Sequence, residues 1–297
     1  AQRNLPTQTK RVNKLMQRFE NHFKSHDLSD IFYQTWQPEN SMGRVLIVHG
    51  LAEHSERYQR LAQKLADNNW AVDALDLRGH GRSEGKRGYV KDMAEMDKDL
   101  YHFWRTIQQN SPDEKKVLFG HSMGGLLVLR ALHRFQDEVV PDAIVLSSPA
   151  LRLAVQVPGW KKRAAQWAER WLPTLTLSNE IEYSQLTRDR QILKSYPKDS
   201  LRHDKISPGL FLGMVRSSAK IEEFASIIRC PIALFWGGRD KVVSSQACEE
   251  FFEHIQHPEK YKYNFPDSLH EVFNDLERDE ALKKFVDFLS QLQRGHQ

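Results

Sequence analysis

Cysteine is nearly missing from this 297-residue chain, which has only Cys230 and Cys248. Two thiols exclude a disulfide framework and point to a reducing compartment; each reads as an ordinary buried or surface thiol. Apolar runs approaching the ~20 residues of a membrane-spanning helix are also missing. No apolar h-region follows the N-terminus, so no signal peptide is expected and the expected location is cytoplasmic. Metal-ligand spacing, a P-loop and a dinucleotide fingerprint are all lacking, which leaves no cofactor and no metal to expect. Gly79-His80-Gly81-Arg82-Ser83 lacks the Lys and the helix opening of a phosphate loop and reads as a tight turn. The net charge of +4 is too small to suggest nucleic acid. Neither an internal repeat nor a low-complexity tract is present.

The chain is 40% hydrophobic and 28% charged, the composition of a soluble globular protein. Residues 1–28 are polar, with Val12, Leu15, Met16, Phe19 and Phe23 at helical spacing, and predict a short amphipathic helix or a frayed arm. From Ile31 onward, short runs rich in Val, Ile and Leu alternate with helical patterns. The apolar runs are Val45–His49, Ala71–Leu77, Val117–Phe119, Ala143–Leu146 and Pro231–Trp236; Ile31–Trp36 alternates apolar and polar residues, and a last strand is expected near Tyr261–Phe265. The helical patterns are Glu56–Ala66, Met93–Gln108, Gly124–Phe135, Ser244–His254 and Asp279–Gln291. Such alternation predicts an α/β fold, a mostly parallel sheet covered by helices on both faces. It breaks between about Leu151 and Lys220, where Trp160–Trp171, Asp189–Tyr196 and Pro208–Arg216 are helical and no strand is evident. The expected organisation is an N-terminal arm or helix (1–28), a core (29–150 and 221–297) and an inserted helical cap (151–220).

Val117–Phe119 runs into Gly120-His121-Ser122-Met123-Gly124 and then a helical pattern, the strand–G-x-S-x-G–helix context of the nucleophile elbow in the α/β-hydrolase fold. The turn must be sharp enough to raise the Ser122 hydroxyl above the sheet, and glycines on either side allow strand and helix to approach. An ordinary turn serine fits this context poorly. The oxyanion hole of this fold takes one amide from the residue after the nucleophile and one from an earlier strand–loop junction, here Met123 and Leu51 of His49-Gly50-Leu51. His49 reads as a structural holder of that loop.

A serine nucleophile needs a base that a carboxylate orients, and chain order in this fold is Ser, then Asp or Glu, then His. Among His254, His257, His270 and His296, only His270 follows the last strand in a loop, and it is the expected base. Asp240, on the Gly237-Gly238-Arg239-Asp240 turn beyond a strand, is the expected acid. Asp267 and Asp275 are its rivals and read as capping or solvated loop residues.

With these residues placed, the chain resembles the monoglyceride lipase and lysophospholipase group of α/β hydrolases from about residue 30 to the C-terminus. The matching segments are His49-Gly50-Leu51-Ala52-Glu53-His54-Ser55-Glu56-Arg57-Tyr58, Asp76-Leu77-Arg78-Gly79-His80-Gly81-Arg82-Ser83, Gly120–Gly125 and Leu146-Ser147-Ser148-Pro149-Ala150. The resemblance implies a Ser-His-Asp serine hydrolase that cleaves a single acyl ester of an amphipathic lipid beneath a helical cap, with monoacylglycerol the leading substrate. It further implies that Glu53 and Arg57 shape the headgroup end of the site as substrate-binding residues. Ala52 departs from the pattern, because many relatives carry Gly there. A lysophospholipase, a broad carboxylesterase or thioesterase, and a non-catalytic binding protein on the same scaffold are the alternatives.

Charge is uneven along the chain. Residues 150–220 hold 13 Lys/Arg against 6 Asp/Glu, a surplus of +7, while the remainder holds 30 against 33. In the expected cap helix, Trp160, Ala164, Trp167 and Trp171 share one face, flanked by Lys161, Lys162, Arg163 and Arg170. Either that stripe packs onto the core, or it meets the headgroup layer of an anionic membrane, a peripheral contact that suits Trp and Lys/Arg. Leu151, Leu153, Val155, Val157, Leu175, Leu177, Phe211 and Met214 are candidates for an acyl tunnel, several of them doubling as core.

Overall fold

The computed structural model describes residues 16–294. In chain order the elements are β1 (Met16–Lys24), β2 (Asp30–Pro38), β3 (Gly43–Val48), α1 (Gln59–Ala66), β4 (Ala71–Leu75), α2 (Met93–Asn110), β5 (Lys115–His121), α3 (Met123–Arg134) and β6 (Ala143–Ser147). Next come α4 (Gly159–Trp171), β7 (Leu177–Ser178), α5 (Arg190–Ser195), β8 (Lys205–Ile206), α6 (Pro208–Ser217) and α7 (Ile221–Ser226). The chain ends with β9 (Ile232–Gly237), α8 (Ser245–His254), β10 (Lys260–Phe265) and α9 (Arg278–Arg294). Eight strands form one sheet in the order β1-β2-β4-β3-β5-β6-β9-β10. β1 pairs antiparallel with β2, and β2 antiparallel with β4. From β4 through β10 every pairing is parallel.

The central strands β3, β4, β6 and β9 are buried along their whole length. Burial on both faces is why their sequences read as continuous apolar runs. Successive side chains go to opposite layers. Leu46, Val48, Leu118, Ile144, Leu146, Leu234 and Trp236 pack with Leu100 and Phe103 of α2, Leu126 and Leu129 of α3, and Phe251 of α8. Val45, Ile47, Val117, Phe119, Val145, Ala233 and Phe235 pack on the other side with Leu61 and Leu65 of α1 and Phe285, Phe288 and Leu289 of α9. The result is the α/β-hydrolase architecture, with its parallel strands all ending along one edge. No helix among the described residues is long and apolar enough to cross a membrane.

The N-terminal segment is the main correction to the sequence reading. Val12 and Leu15 lie outside the described residues, but Met16, Phe19 and Phe23 are in a strand, not a helix. β1 pairs residue for residue with β2, from Met16 opposite Pro38 to Lys24 opposite Asp30. The ladder groups on the outer side of β2 need partners, and the Ser25–Ser29 turn fixes the register, so pairing overrides a weak helical spacing. Phe23 is anchored against Tyr33 and Phe103, Met16 packs against the core on the other face of the sheet, and Phe19 is exposed.

Between β6 and β9 the chain leaves the sheet for the helices α4 to α7 and a two-stranded ladder of β7 with β8. Residues 152–154 run along 242–244, through Ala154 N–H to Val242 O and Ser244 N–H to Arg152 O. The stripe on α4 does not pack onto the core: Trp160, Trp167 and Trp171 are 68%, 59% and 62% exposed, and Ala168 is the helix's buried residue.

The Gly79–Ser83 turn is pinned by Asp76, which accepts from the backbone N–H groups of Ser55 and Arg82, both at 2.7 Å. Beside it Arg78 spans to buried Asp99 on α2 (2.7 Å) and to Asp27 (2.9 Å). Arg78→Met leaves the Asp99 carboxylate buried without its cation and is expected to cost roughly 3–5 kcal/mol. Urea unfolding monitored by tryptophan fluorescence checks this, and a loss under 1 kcal/mol would refute it.

Candidate active site

Four strand ends deliver the site. β3 leads into the Gly50–Glu53 loop, β5 into Ser122, β9 into Asp240 and β10 into His270. This is the crevice at the carboxyl ends of a parallel sheet, where open α/β sheets bind ligands. Ser122 is the residue before α3, with φ +51° and ψ −119°. Its N–H donates to Ser147 O (2.9 Å), and its carbonyl accepts from Ala150 N–H (2.9 Å), tying the turn to the end of β6. A Cβ on Gly124 would lie 2.1 Å from Val48 O, so glycine is required where α3 crosses β3.

The Ser122 hydroxyl donates to His270 Nε2 at 2.9 Å, and His270 Nδ1–H donates to Asp240 Oδ2 at 2.7 Å. Asp240 is oriented by its other oxygen, which accepts from Val242 N–H (2.8 Å) and Val243 N–H (2.9 Å). The rival Asp275 faces away: it accepts from the Leu269 and Arg188 backbones and caps that corner. Burial alone would lower the His270 pKa. The charge and hydrogen bond of Asp240, with Glu271 and Glu53 behind, more than offset this and hold it above the ordinary imidazole value. His121 is the neighbouring ring, 4.9 Å from that of His270. Its Nδ1–H donates to Ser147 O at 3.1 Å, and burial holds its pKa down at about 4, so it is neutral at pH 7. Sequence reasoning passed over His121.

Leu51 lies in the loop after β3, and Met123 is the first residue of α3, directly after Ser122. The first N–H groups of a helix have no partner within it and carry its positive dipole end, which suits them to a developing oxyanion. His49 holds the loop as expected: Leu77 N–H donates to its Nε2 (2.9 Å), and its Nδ1–H donates to Gly50 O (2.7 Å). Ala52 has φ +63°, a conformation that costs an L-residue about 1–2 kcal/mol.

Glu53 and Arg57 both line the cavity against Ser122, a space of about 310 Å³, but they are bound to each other and to partners missed in the sequence. Glu53 accepts from Gly50 N–H (2.6 Å), Tyr58 Oη–H (2.8 Å) and Arg57 (2.5 Å). Arg57 also grips Glu271 with two bonds (2.9 and 2.7 Å), and Tyr196 Oη–H donates to Glu271 at 2.6 Å. Burial would raise both carboxyls, yet Arg57 outweighs it and keeps Glu53 and Glu271 ionised, well below the usual range. Glu271 follows the base directly in the sequence, and that adjacency was the one signal for it. None of the acyl-tunnel candidates lines this cavity: Leu151 is fully buried in the core, Val155 and Leu177 are exposed, and Met214 packs against the core. Burial raises the Cys230 thiol to about 12 and Cys248 higher still, so neither is a ready thiolate.

Comparison with known proteins gives the family. The family model "Serine aminopeptidase, S33" matches residues 39–277. A monoacylglycerol lipase of Mycolicibacterium smegmatis is 28% identical over 84% of this chain and 88% of its own length. An uncharacterized abhydrolase domain-containing protein of Dictyostelium discoideum is 27% identical over 89% of this chain, which spans only 28% of that longer protein. Among solved structures, the monoacylglycerol lipase of Paleococcus ferrophilus superposes with a TM-score of 0.79 at 30% identity, covering 93% of this chain and all of that one. The chain belongs to the serine aminopeptidase S33 family and, within the α/β-hydrolase superfamily, to the monoglyceride lipase group of ester hydrolases.

Proposed function

We propose that this protein hydrolyses the single acyl ester of a monoacylglycerol-type lipid through an acyl-enzyme intermediate on Ser122. The observation that carries the reading is the hydrogen-bonded chain from Ser122 through His270 to Asp240 in the wall of a cavity. The Ser122 Oγ attacks the ester carbonyl while His270 Nε2 takes its proton, and Asp240 stabilises the imidazolium that forms. The Leu51 and Met123 N–H groups receive the oxyanion, a contribution of about 3–4 kcal/mol if one donor behaves as in other serine hydrolases. His270 then protonates the leaving glycerol oxygen, and a water activated by the same base releases the fatty acid. The Glu53–Arg57–Glu271 knot holds the loop of Leu51 and the loop of His270 at one spacing, so Glu53 and Arg57 shape the headgroup end from behind.

We also propose that α4 is the membrane-facing surface. Its exposed tryptophans stand beside exposed Lys162, Arg163 and Arg170, a composition suited to an anionic headgroup layer. A lipid substrate would then pass from the bilayer to the cavity without crossing water, with the enzyme peripheral to the membrane.

Ser122→Ala is expected to lower fatty-acid release from 1-monooleoylglycerol by about 10⁶-fold and to abolish fluorophosphonate labelling. A wild type that labels but leaves this lipid intact would refute the substrate, and a variant that still turns it over would refute the mechanism. Because His270 must be neutral to act, kcat/KM rises with pH through its pKa, and the acid limb is expected above 6.5. Asp240→Asn removes the charge that raises it. The limb should then move to lower pH, with kcat down about 10⁴-fold; an unmoved limb would assign it to another group. Replacing Trp160, Trp167 and Trp171 together by Ser should lower sedimentation with phosphatidylcholine–phosphatidylglycerol vesicles several-fold. Wild-type binding that ignores both anionic lipid and salt would argue against the contact.

A further inference from the structure

One part of the cavity wall, formed by Arg202 and His203, is used neither by the sequence motifs nor by the proposed mechanism. Its segment is stitched to the loop of Leu51: His54 Nε2–H donates to Asp199 Oδ2 at 2.8 Å, and His203 N–H donates to Ala52 O at 3.4 Å. The Arg202 guanidinium rests in the corner of two tyrosine rings, 4.5 Å from the centre of Tyr196 and 5.2 Å from that of Tyr183. The rings are 5.2 Å apart and inclined at 72°, and Tyr196 is itself bonded to Arg57 and Glu271. Packing against these rings places the cation.

Hydrogen-bond partners are missing. Nε and Nη1 of Arg202 are buried without one, and so is Nε2 of His203. His203 Nδ1 accepts from Lys205 N–H (3.0 Å), so the ring proton is on Nε2, and burial keeps the ring neutral, with its pKa down at about 4. All three open groups are therefore donors. Buried donors are normally paired, and each one left open is costly. Carboxylates share the wall. Asp204 pairs with Lys205, and the remaining Glu53, Glu182 and Glu271 outnumber the guanidinium groups of Arg57 and Arg202. That excess of negative charge disfavours an anionic occupant, while the open donors disfavour an alkyl one. A neutral molecule with several hydroxyl groups meets both demands, because a hydroxyl accepts from an N–H and gives its own proton to a carboxylate.

We propose that Arg202 and His203 hold a polyol acceptor beside the acyl-enzyme, so that the protein transfers acyl groups to polyols as well as to water. This rests on the reading that Ser122 forms an acyl-enzyme. Deacylation by an alcohol is acylation run backwards. A wall that holds a departing headgroup therefore also holds an incoming one, with a hydroxyl where His270 protonated the leaving oxygen. The polyol oxygen attacks the acyl carbonyl as His270 Nε2 takes its proton. The bond from the carbonyl carbon to Ser122 Oγ then breaks, and His270 returns the proton to that oxygen. One ester is lost and one is formed, with no other reactant. An acceptor already in place competes with far more concentrated water because its orientation is settled before attack.

The test acylates the full-length protein with p-nitrophenyl butyrate in the presence of glycerol and measures monobutyrin against butyric acid. 1-Propanol, with a single hydroxyl on the same carbon chain, is the comparison acceptor. Wild type is expected to form monobutyrin, with an ester-to-acid ratio about tenfold above that for 1-propanol at equal concentration, as for one charge-assisted hydrogen bond gained. Arg202→Met, which keeps an aliphatic stem against the tyrosines, and Arg202→Gln should each lower the glycerol ratio about tenfold and leave the propanol ratio in place. Both products come from one acyl-enzyme, so a partly unfolded variant still reports the true ratio. No monobutyrin from wild type, glycerol no better than 1-propanol, or a glycerol preference that survives both substitutions would overturn acyl transfer at this wall. Fluorophosphonate labelling separates the two readings. A protein that labels and releases butyrate but spares glycerol keeps hydrolysis alone, and one that does not label loses both.

Discussion

Ser122 holds a positive φ that costs an ordinary residue about 1–2 kcal/mol, and the chain keeps it there because β5 enters the turn and α3 leaves it with no room between them. A Cβ on Gly120 would lie 2.6 Å from Gly125 Cα, and one on Gly124 would meet the backbone of Val48 and His49. That contact presses the N-terminus of α3 against the end of β3. The position of every other group in the cavity is referred to this turn, because the neighbouring strands are locked to β5 by the sheet register.

Around the turn, a second constraint joins parts of the chain that the sheet alone would leave independent. Arg57 lies between Glu53 and Glu271, with Tyr196 on top. One cation thus ties the loop after β3, the loop that carries His270 and the segment between β6 and β9. Buried ions of this kind are a poor source of net stability, since desolvation offsets much of the attraction. Their value here is geometric, because they tie the loop of Leu51 to the loop of His270. The same tyrosine packs against the Arg202 guanidinium, 4.5 Å from its ring.

The segment between β6 and β9 carries the charge asymmetry of the protein and exposes its largest apolar side chains. In a soluble helix such a stripe normally faces the core. Here the sheet is already covered by α2, α3, α7 and α8 on one side and by α1 and α9 on the other, so α4 has no core surface left to meet. Its tryptophans remain outward, a feature that favours an external apolar partner over a packing role.

The strands were legible in the sequence because burial on both faces makes them short apolar runs, and the helices between them because one face alone is apolar. Ser122 was legible from its flanking glycines, and His270 and Asp240 from chain order, since each had to follow a strand that ends at the same edge. These are local signals, and residue identity within a few positions determined them. β1 was not legible: its strand state comes from pairing to β2, a partner its own spacing cannot announce. Glu271, Tyr196 and Arg202 were likewise hidden, because a charge or a ring becomes part of a site only when distant segments bring it to a shared cavity. Sequence alone thus determined the architecture and the order of Ser122, Asp240 and His270 along it, while only the tertiary structure decided the partners of Arg57 and Arg202 and the outward face of α4. Hydrogen-bond distance and burial depend on where the chain returns in space, and a one-dimensional pattern does not record that.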